Sequence, residues 1–260
     1  MSIFRKLSKH YPKIPGYRRL RPKHCQVYGI GSPKTGTHSL VSMFSRHFRT
    51  LHEAEVREEI GLLSRHLRGE CTSGEIQRWF IERDQRLWLD CDVSHLHGYF
   101  ADDIARALPE AKFILTIREP YSWLDSAFNQ TLGRPPNALW EGIRRQVNGA
   151  YPETFPEQEN TLQALGLYPI GHLLNRWAER IDHVTRAIPA ERLLIIKTGE
   201  LKQSANAIAD FCGLDVHMLV AEQGHQFTAA KKAGVLDNID KNYVDALIQQ
   251  RCGEILRQYF

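Results

Sequence analysis

From Tyr28 to Leu40 the chain reads Tyr-Gly-Ile-Gly-Ser-Pro-Lys-Thr-Gly-Thr-His-Ser-Leu, a strand pattern running through a glycine-rich turn into a helix. Such a turn gathers backbone N–H groups and the positive end of a helix at one point, which is chemistry for an anion, phosphate above all. Gly31 and Gly36 have the glycine spacing of a Walker A loop, but Thr37 and His38 follow where that motif needs Lys and Ser/Thr. GxGxxG fails as well, because no glycine follows Gly29 and Gly31 at the required spacing. The only lysine of the loop, Lys34, lies inside the turn. These residues describe a phosphate cradle: Thr35, Gly36, Thr37, His38 and Ser39 supply N–H groups and hydroxyls, and Lys34 offsets negative charge on the bound phosphate.

A second anion site is written into Lys112-Phe-Ile-Leu-Thr-Ile-Arg118-Glu-Pro120. Arg118 closes a buried strand at the carboxyl edge, where open α/β sheets bind ligands. Pro120 opens the next helix, and Ser126 lies about two turns into it.

Together these segments resemble the sulfotransferases that use 3′-phosphoadenosine 5′-phosphosulfate (PAPS). Pro33-Lys-Thr-Gly-Thr-His-Ser-Leu40 is similar to that family's 5′-phosphosulfate loop. Arg118-Glu-Pro120 with Ser126 is similar to its 3′-phosphate element. Tyr168, Trp177 and Ile188–Leu201 resemble the helix and strand that follow, although Lys197-Thr-Gly-Glu200 departs from the family's Tyr-Glu-Asp-Leu. Ala207–Leu214 resembles the next helix. The resemblance implies transfer of a sulfuryl group from PAPS to an acceptor hydroxyl or amine, without a metal, releasing adenosine 3′,5′-bisphosphate. It also implies that Arg118 and Ser126 hold the donor's 3′-phosphate, and that Lys231 and Lys232 lie in a basic loop closing over it.

The acceptor needs a general base. Glu53, the first choice, and Glu55 follow the second strand pattern, where several family branches place a glutamate. His95 precedes Arg118 by nearly the separation of the catalytic histidine in the small-molecule branch, and a histidine is poised near neutral pH. The three stay open. His95 and His97 form an HxH pair, yet no third ligand appears at a telling spacing, so no metal is expected.

These residues must be positioned by alternating strands and helices, hence an α/β fold with a mostly parallel central sheet flanked by helices, the P-loop-like sulfotransferase architecture. The expected strands are Cys25–Ile30, Thr50–His52, Leu87–Cys91, Lys112–Ile117 and Leu193–Lys197. Expected helices cover about 37–48, 56–67, 75–83, 99–108, 168–187, 204–212 and 241–259. Residues 25–260 read as one domain. Within it, the Pro- and Gly-rich stretch 133–166 reads as a lid or acceptor-facing insertion.

The chain has 260 residues, 42% of them hydrophobic and 25% charged, which are globular values. Its charge is uneven: eleven Lys or Arg and no acidic residue precede Glu53, and eight of the eleven fall in the arm 1–24. That arm lacks the apolar core of a secretory signal but would suit an organelle transit peptide. No apolar run approaches the ~20 residues of a membrane span. Five scattered cysteines without a CxxC pair suggest reduced thiols and a soluble, cytoplasmic protein. Two rival functions remain. One is a P-loop nucleotide kinase or NTPase with Leu87-Trp-Leu-Asp90 as its Walker B strand; the other is a non-enzymatic binder of anionic polymers using the basic arm. Nucleic acid is not the expected partner; PAPS and an unidentified hydroxyl-bearing acceptor are.

Overall fold

The computed structural model describes residues 21–135, 137–220 and 233–260. Five parallel strands, β1 (Val27–Gly29), β2 (Thr50–His52), β3 (Cys91–Val93), β4 (Lys112–Ile117) and β5 (Leu193–Lys197), form one sheet in the order β2-β3-β1-β4-β5. Parallel neighbours need crossover connections, and helices supply them. They are α1 (Thr37–Phe44), α2 (Val56–Leu67), α3 (Ser73–Leu87), α4 (Ala101–Ala107), α5 (Pro120–Leu132), α6 (Ala138–Asn148), α7 (Asn160–Ala164), α8 (Ile170–Ala187), α9 (Ala205–Cys212) and α10 (Lys241–Tyr259). The chain is α/β, as its alternating patterns imply.

The sheet is buried on both faces, so its central strands are apolar on both. Phe113, Leu115 and Ile117 of β4 join Tyr28 and Ile30 in the larger core, with Phe80, Leu124 and Trp177 from the helices. Ile114, between them, joins Val27, Cys91 and Val93 in a second core beneath Leu40 and Phe44 of α1 and Ile208 of α9.

One strand expectation is corrected. Leu87–Cys91 is not a strand: Leu87 ends α3, Trp88 turns left-handed at φ 51°, and pairing begins only at Cys91. The short apolar run Leu87-Trp-Leu carried no periodicity of its own to tell a helix end from a strand. The Walker B reading falls with it. Asp90 lies at the amino end of β3, fully buried, accepting bonds from the His24 and Arg49 backbone N–H groups at 2.8 and 2.9 Å.

Register sets the site. His52 stands opposite Val93, and Gly29 opposite both Val93 and Ile114. The residues that follow the strands are therefore laid along one edge in sheet order: Glu53, His95, the glycine turn, Arg118 and Thr198. No helix among the described residues is long and apolar enough to cross a membrane.

Candidate active site

Along that edge lies a cavity of about 1370 Å³, larger than the ~300–1,000 Å³ that usually houses one small ligand. Its floor is the turn 31–36. Four successive carbonyls of this turn are tied back into the fold. Ser32 O accepts from Thr35 Oγ1 at 2.7 Å, Pro33 O from Trp123 Nε1 at 2.9 Å, Lys34 O from Arg118 Nη1 at 3.2 Å, and Thr35 O from Thr198 Oγ1 at 2.7 Å. A trans peptide points its N–H opposite to its C=O. Anchoring the Pro33 and Thr35 carbonyls thus turns the Lys34 and Gly36 N–H groups away from the packed side, and both residues line the cavity.

The same geometry explains the glycines. A Cβ at Gly31 would lie 1.9 Å from Thr116 Oγ1, and Gly36 has φ 95°. Lys34 also adopts a left-handed backbone, φ 68°. For a non-glycine residue this conformation is strained, and such strain concentrates at functional sites. Thr35 faces inward instead: its side chain is buried against Ser32 O and Thr116 Oγ1, and its N–H bonds Ser32 O at 3.3 Å. It holds the turn's shape, whereas Gly36, Thr37, His38 and Ser39 line the cavity.

Three cations converge here. Burial lowers the pKa of Lys34, and the Arg134 and Arg118 charges press it down further. None of the three forms a salt bridge among the described residues. Cations crowded together and not bonded to carboxylates, with only the fields of Asp125 and Glu119 acting on Arg118, fit a polyanionic ligand. Arg118 also bonds Ser122 Oγ at 3.1 Å.

On the other side of the turn, Glu53 and His95 meet. Glu53 Oε1 lies 2.8 Å from His95 Nδ1, across 42 residues of sequence. Both side chains are largely buried, at 24% and 16% exposure. A carboxylate only accepts, so Nδ1 carries the hydrogen, and in the neutral ring the lone pair is that of Nε2. Burial pushes the Glu53 pKa up, but the His95 bond and the surrounding histidines prevail and hold it below the usual value. The backbone around Glu53 is left-handed (φ 51°), pinned by Glu53 N to Val93 O at 2.8 Å and by Arg83 Nη2 to Ala54 O at 2.7 Å. Nearby, the His52 and His38 rings stack at 3.9 Å, and His52 Nε2 lies 3.1 Å from Thr37 Oγ1. Burial takes the His52 pKa down to about 4.

Beneath this pair sits a buried polar layer. Arg83 bonds Asp92, Ser94 Oγ donates to Glu59 Oε2 at 3.1 Å, and His97 Nε2 lies 3.5 Å from Glu59 Oε1. Burial raises the Glu59 pKa to about 8 and lowers that of His97 to about 4. His97 therefore belongs to this layer while His95 faces the cavity. Among the described residues, no group of three or more His, Cys, Asp or Glu is placed to hold a metal ion.

A family model with the description Sulfotransferase domain matches residues 26–219, well over half of the chain. The chain belongs to the sulfotransferase family. Solved structures similar to this sulfotransferase include the sulfotransferase from Alicyclobacillus acidocaldarius (14% identity, 89% of this chain, 95% of that chain, TM-score 0.49). Others are the sulfotransferase STF9 from Mycobacterium avium (13%, 98% and 82%, 0.49) and the sulfotransferase domain of the Synechococcus PCC 7002 olefin synthase (16%, 86% and 86%, 0.42). No curated protein sequence matches the chain.

The remaining candidate residues of this sulfotransferase sort as follows. Glu55 is turned away from the cavity, its two oxygens 2.9 and 2.7 Å from Arg86 Nε and Nη2. Ser126 is half-buried on α5, one turn beyond Ser122, and does not line the cavity. Lys231 and Lys232 lie outside the described residues. Ala233, next in the chain, donates its N–H to Asn129 Oδ1 on α5 at 2.5 Å. Sequence reasoning missed Arg134, His52, Ser122 and Thr198. Thr198 carried a signal, since it stands where the family pattern breaks. Arg134 acts on Lys34, a hundred residues away in sequence.

Proposed function

We propose that this sulfotransferase moves a sulfuryl group from PAPS to an acceptor hydroxyl or amine, with His95 taking the acceptor's proton. The observation that carries this reading is the placement of the Glu53–His95 pair beside the Lys34, Arg118 and Arg134 charges in one cavity. The donor supplies an activated sulfuryl group whose leaving group is a phosphate. For an acceptor hydroxyl, a bond forms between sulfur and its oxygen, the bond from sulfur to the phosphate oxygen breaks, and the proton passes to His95 Nε2.

The chain's residues suit these parts. Lys34, the outward N–H groups of the turn and the first turn of α1 hold the leaving phosphate. Arg118 and Arg134 add charge, and a planar guanidinium suits phosphate oxygens. Arg118, Ser126, Lys231 and Lys232 remain proposed contacts of the 3′-phosphate. Glu53 fixes the His95 tautomer and stabilises the imidazolium formed by proton transfer, a division of labour known from other base–carboxylate pairs. His52, neutral near pH 7, orients the Thr37 hydroxyl. Glu53, the first choice of base, thus works through the histidine. Residues 25–260 serve as one catalytic domain, and the free thiols of all five cysteines suit a reducing compartment such as the cytoplasm.

The test is transfer of label from sulfur-labelled PAPS to a panel of phenols, glycans, lipids and peptides, with Lys34→Ala as control. Label should move to at least one class and fail to move with the variant. Transfer at near-normal rate by Lys34→Ala contradicts the assignment.

A further inference from the structure

The cavity continues past His95, away from Lys34, into a wall built from two facing helices. Trp140 and Arg144 of α6 line it at one-turn spacing, and Arg176 and Arg180 of α8 do the same. The wall is fixed in place: Arg176 Nη2 donates to Val147 O at 2.6 Å, joining α8 to α6. Trp140 lies against the His95 ring, with centroids 5.4 Å apart.

Charge on this wall is unbalanced. Its carboxylates are Glu141 and Glu179, and Glu179 is bonded to Arg176 at 2.9 Å. Neither Arg144 nor Arg180 has a salt bridge among the described residues. Arg180 lies over the Tyr99 ring, 3.2 Å from its centroid, with Nη1 3.4 Å from His95 O. It is half-buried and lines the cavity, and partial burial lowers its pKa. A half-buried guanidinium that faces a ligand cavity with no carboxylate bonded to it is suited to an anion that arrives with a ligand.

Resting on the function proposed above, we infer that Arg144 and Arg180 form an acceptor subsite for an acid: a hydroxylated ring bearing a carboxylate or comparable anion. The anion meets the two guanidinium groups. Trp140 offers its flat face to the ring, whether aryl or sugar, and the hydroxyl is thereby brought to His95 Nε2. A guanidinium fork matches a carboxylate bidentately, and an aromatic face suits a flat or sugar ring.

The test compares acids with neutral isosteres on the full chain. 4-Hydroxyphenylacetate is set against 4-hydroxyphenylacetamide for an aryl acceptor, and methyl glucuronoside against methyl glucoside for a sugar. Binding is read by titration with adenosine 3′,5′-bisphosphate present. At least one acid should bind tenfold or more tightly than its neutral partner, and the pair that discriminates names the ring. Arg144→Gln, on the more accessible helix, and Arg180→Gln should each reduce that preference to near unity. Each variant should still bind the bisphosphate, which shows that it is folded. Equal binding of acid and isostere in both pairs, or no binding of either acid while the bisphosphate binds, overturns the subsite. Loss of bisphosphate binding by the unaltered protein strikes instead at the proposed function.

Discussion

His95 Nδ1 and Glu53 Oε1 stand 2.8 Å apart because β2 and β3 run parallel and in register, His52 opposite Val93. Two residues separated by a long stretch of sequence become neighbours when each directly follows, or nearly follows, the end of one of two paired strands. The pair is a product of strand order. If it acts as proposed, His95→Gln should lower kcat by about 10²–10⁴, the usual contribution of a general base. Glu53→Gln should lower kcat less, and both variants should keep their affinity for adenosine 3′,5′-bisphosphate. Steady-state rates together with that titration separate this from a structural role, which would weaken binding too.

Lys34 combines a charge with a left-handed backbone, φ 68°. Lys34→Gly removes the charge and relieves the backbone. It should abolish transfer while raising stability by about 1 kcal/mol, because glycine adopts this conformation without steric penalty. Denaturant unfolding and a rate assay on the same preparation check both halves.

Thr198 Oγ1 is 2.7 Å from Thr35 O and 2.9 Å from Ile117 O, joining the turn to the end of β4. Its single hydroxyl hydrogen serves these two carbonyls. Thr198→Val should cost about 0.5–1.5 kcal/mol of stability, the ordinary worth of such a bond. Because it frees the carbonyl that aims the Gly36 N–H, it should also weaken bisphosphate binding several-fold.

The buried layer gives a pH signature. Glu59 has a folded pKa raised to about 8, so the folded state holds a proton that the unfolded state has already lost above the ordinary carboxylate range. Its contribution is complete at low pH and fades as pH rises through about 8. His52 and His97, lowered to about 4, act oppositely: their contribution is present above the ordinary histidine pKa and is lost as pH falls toward 4. Between roughly pH 6.5, the ordinary histidine value, and pH 8 only the Glu59 effect remains. There the wild type should lose about 2 kcal/mol relative to Glu59→Gln. Parallel unfolding curves at the two pH values measure it; equal losses would remove Glu59 from the buried protonated state.

Much of this site was legible in the sequence because local chemistry wrote it there. A turn that needs glycine at positions 31 and 36 and an arginine closing a buried strand are short-range features, and the strands 50–52, 112–117 and 193–197 matched in full. What was not legible was pairing. Glu53, Glu55 and His95 were rivals for one task on residue type alone. Only strand register brings two of them together while Arg86 holds the third. Arg134 was hidden likewise, since the lysine it faces lies in a distant segment. The apolar run at Leu87 misled because three apolar residues suit a helix end as well as a strand.

The most direct measurement is a calorimetric titration of the protein with adenosine 3′,5′-bisphosphate in the presence of a metal chelator, beside a titration with Mg·ATP. The bisphosphate should bind saturably and one-to-one without metal, more weakly after Arg118→Ala, and Mg·ATP should show no comparable binding. Binding of Mg·ATP with none of the bisphosphate would contradict the proposed function.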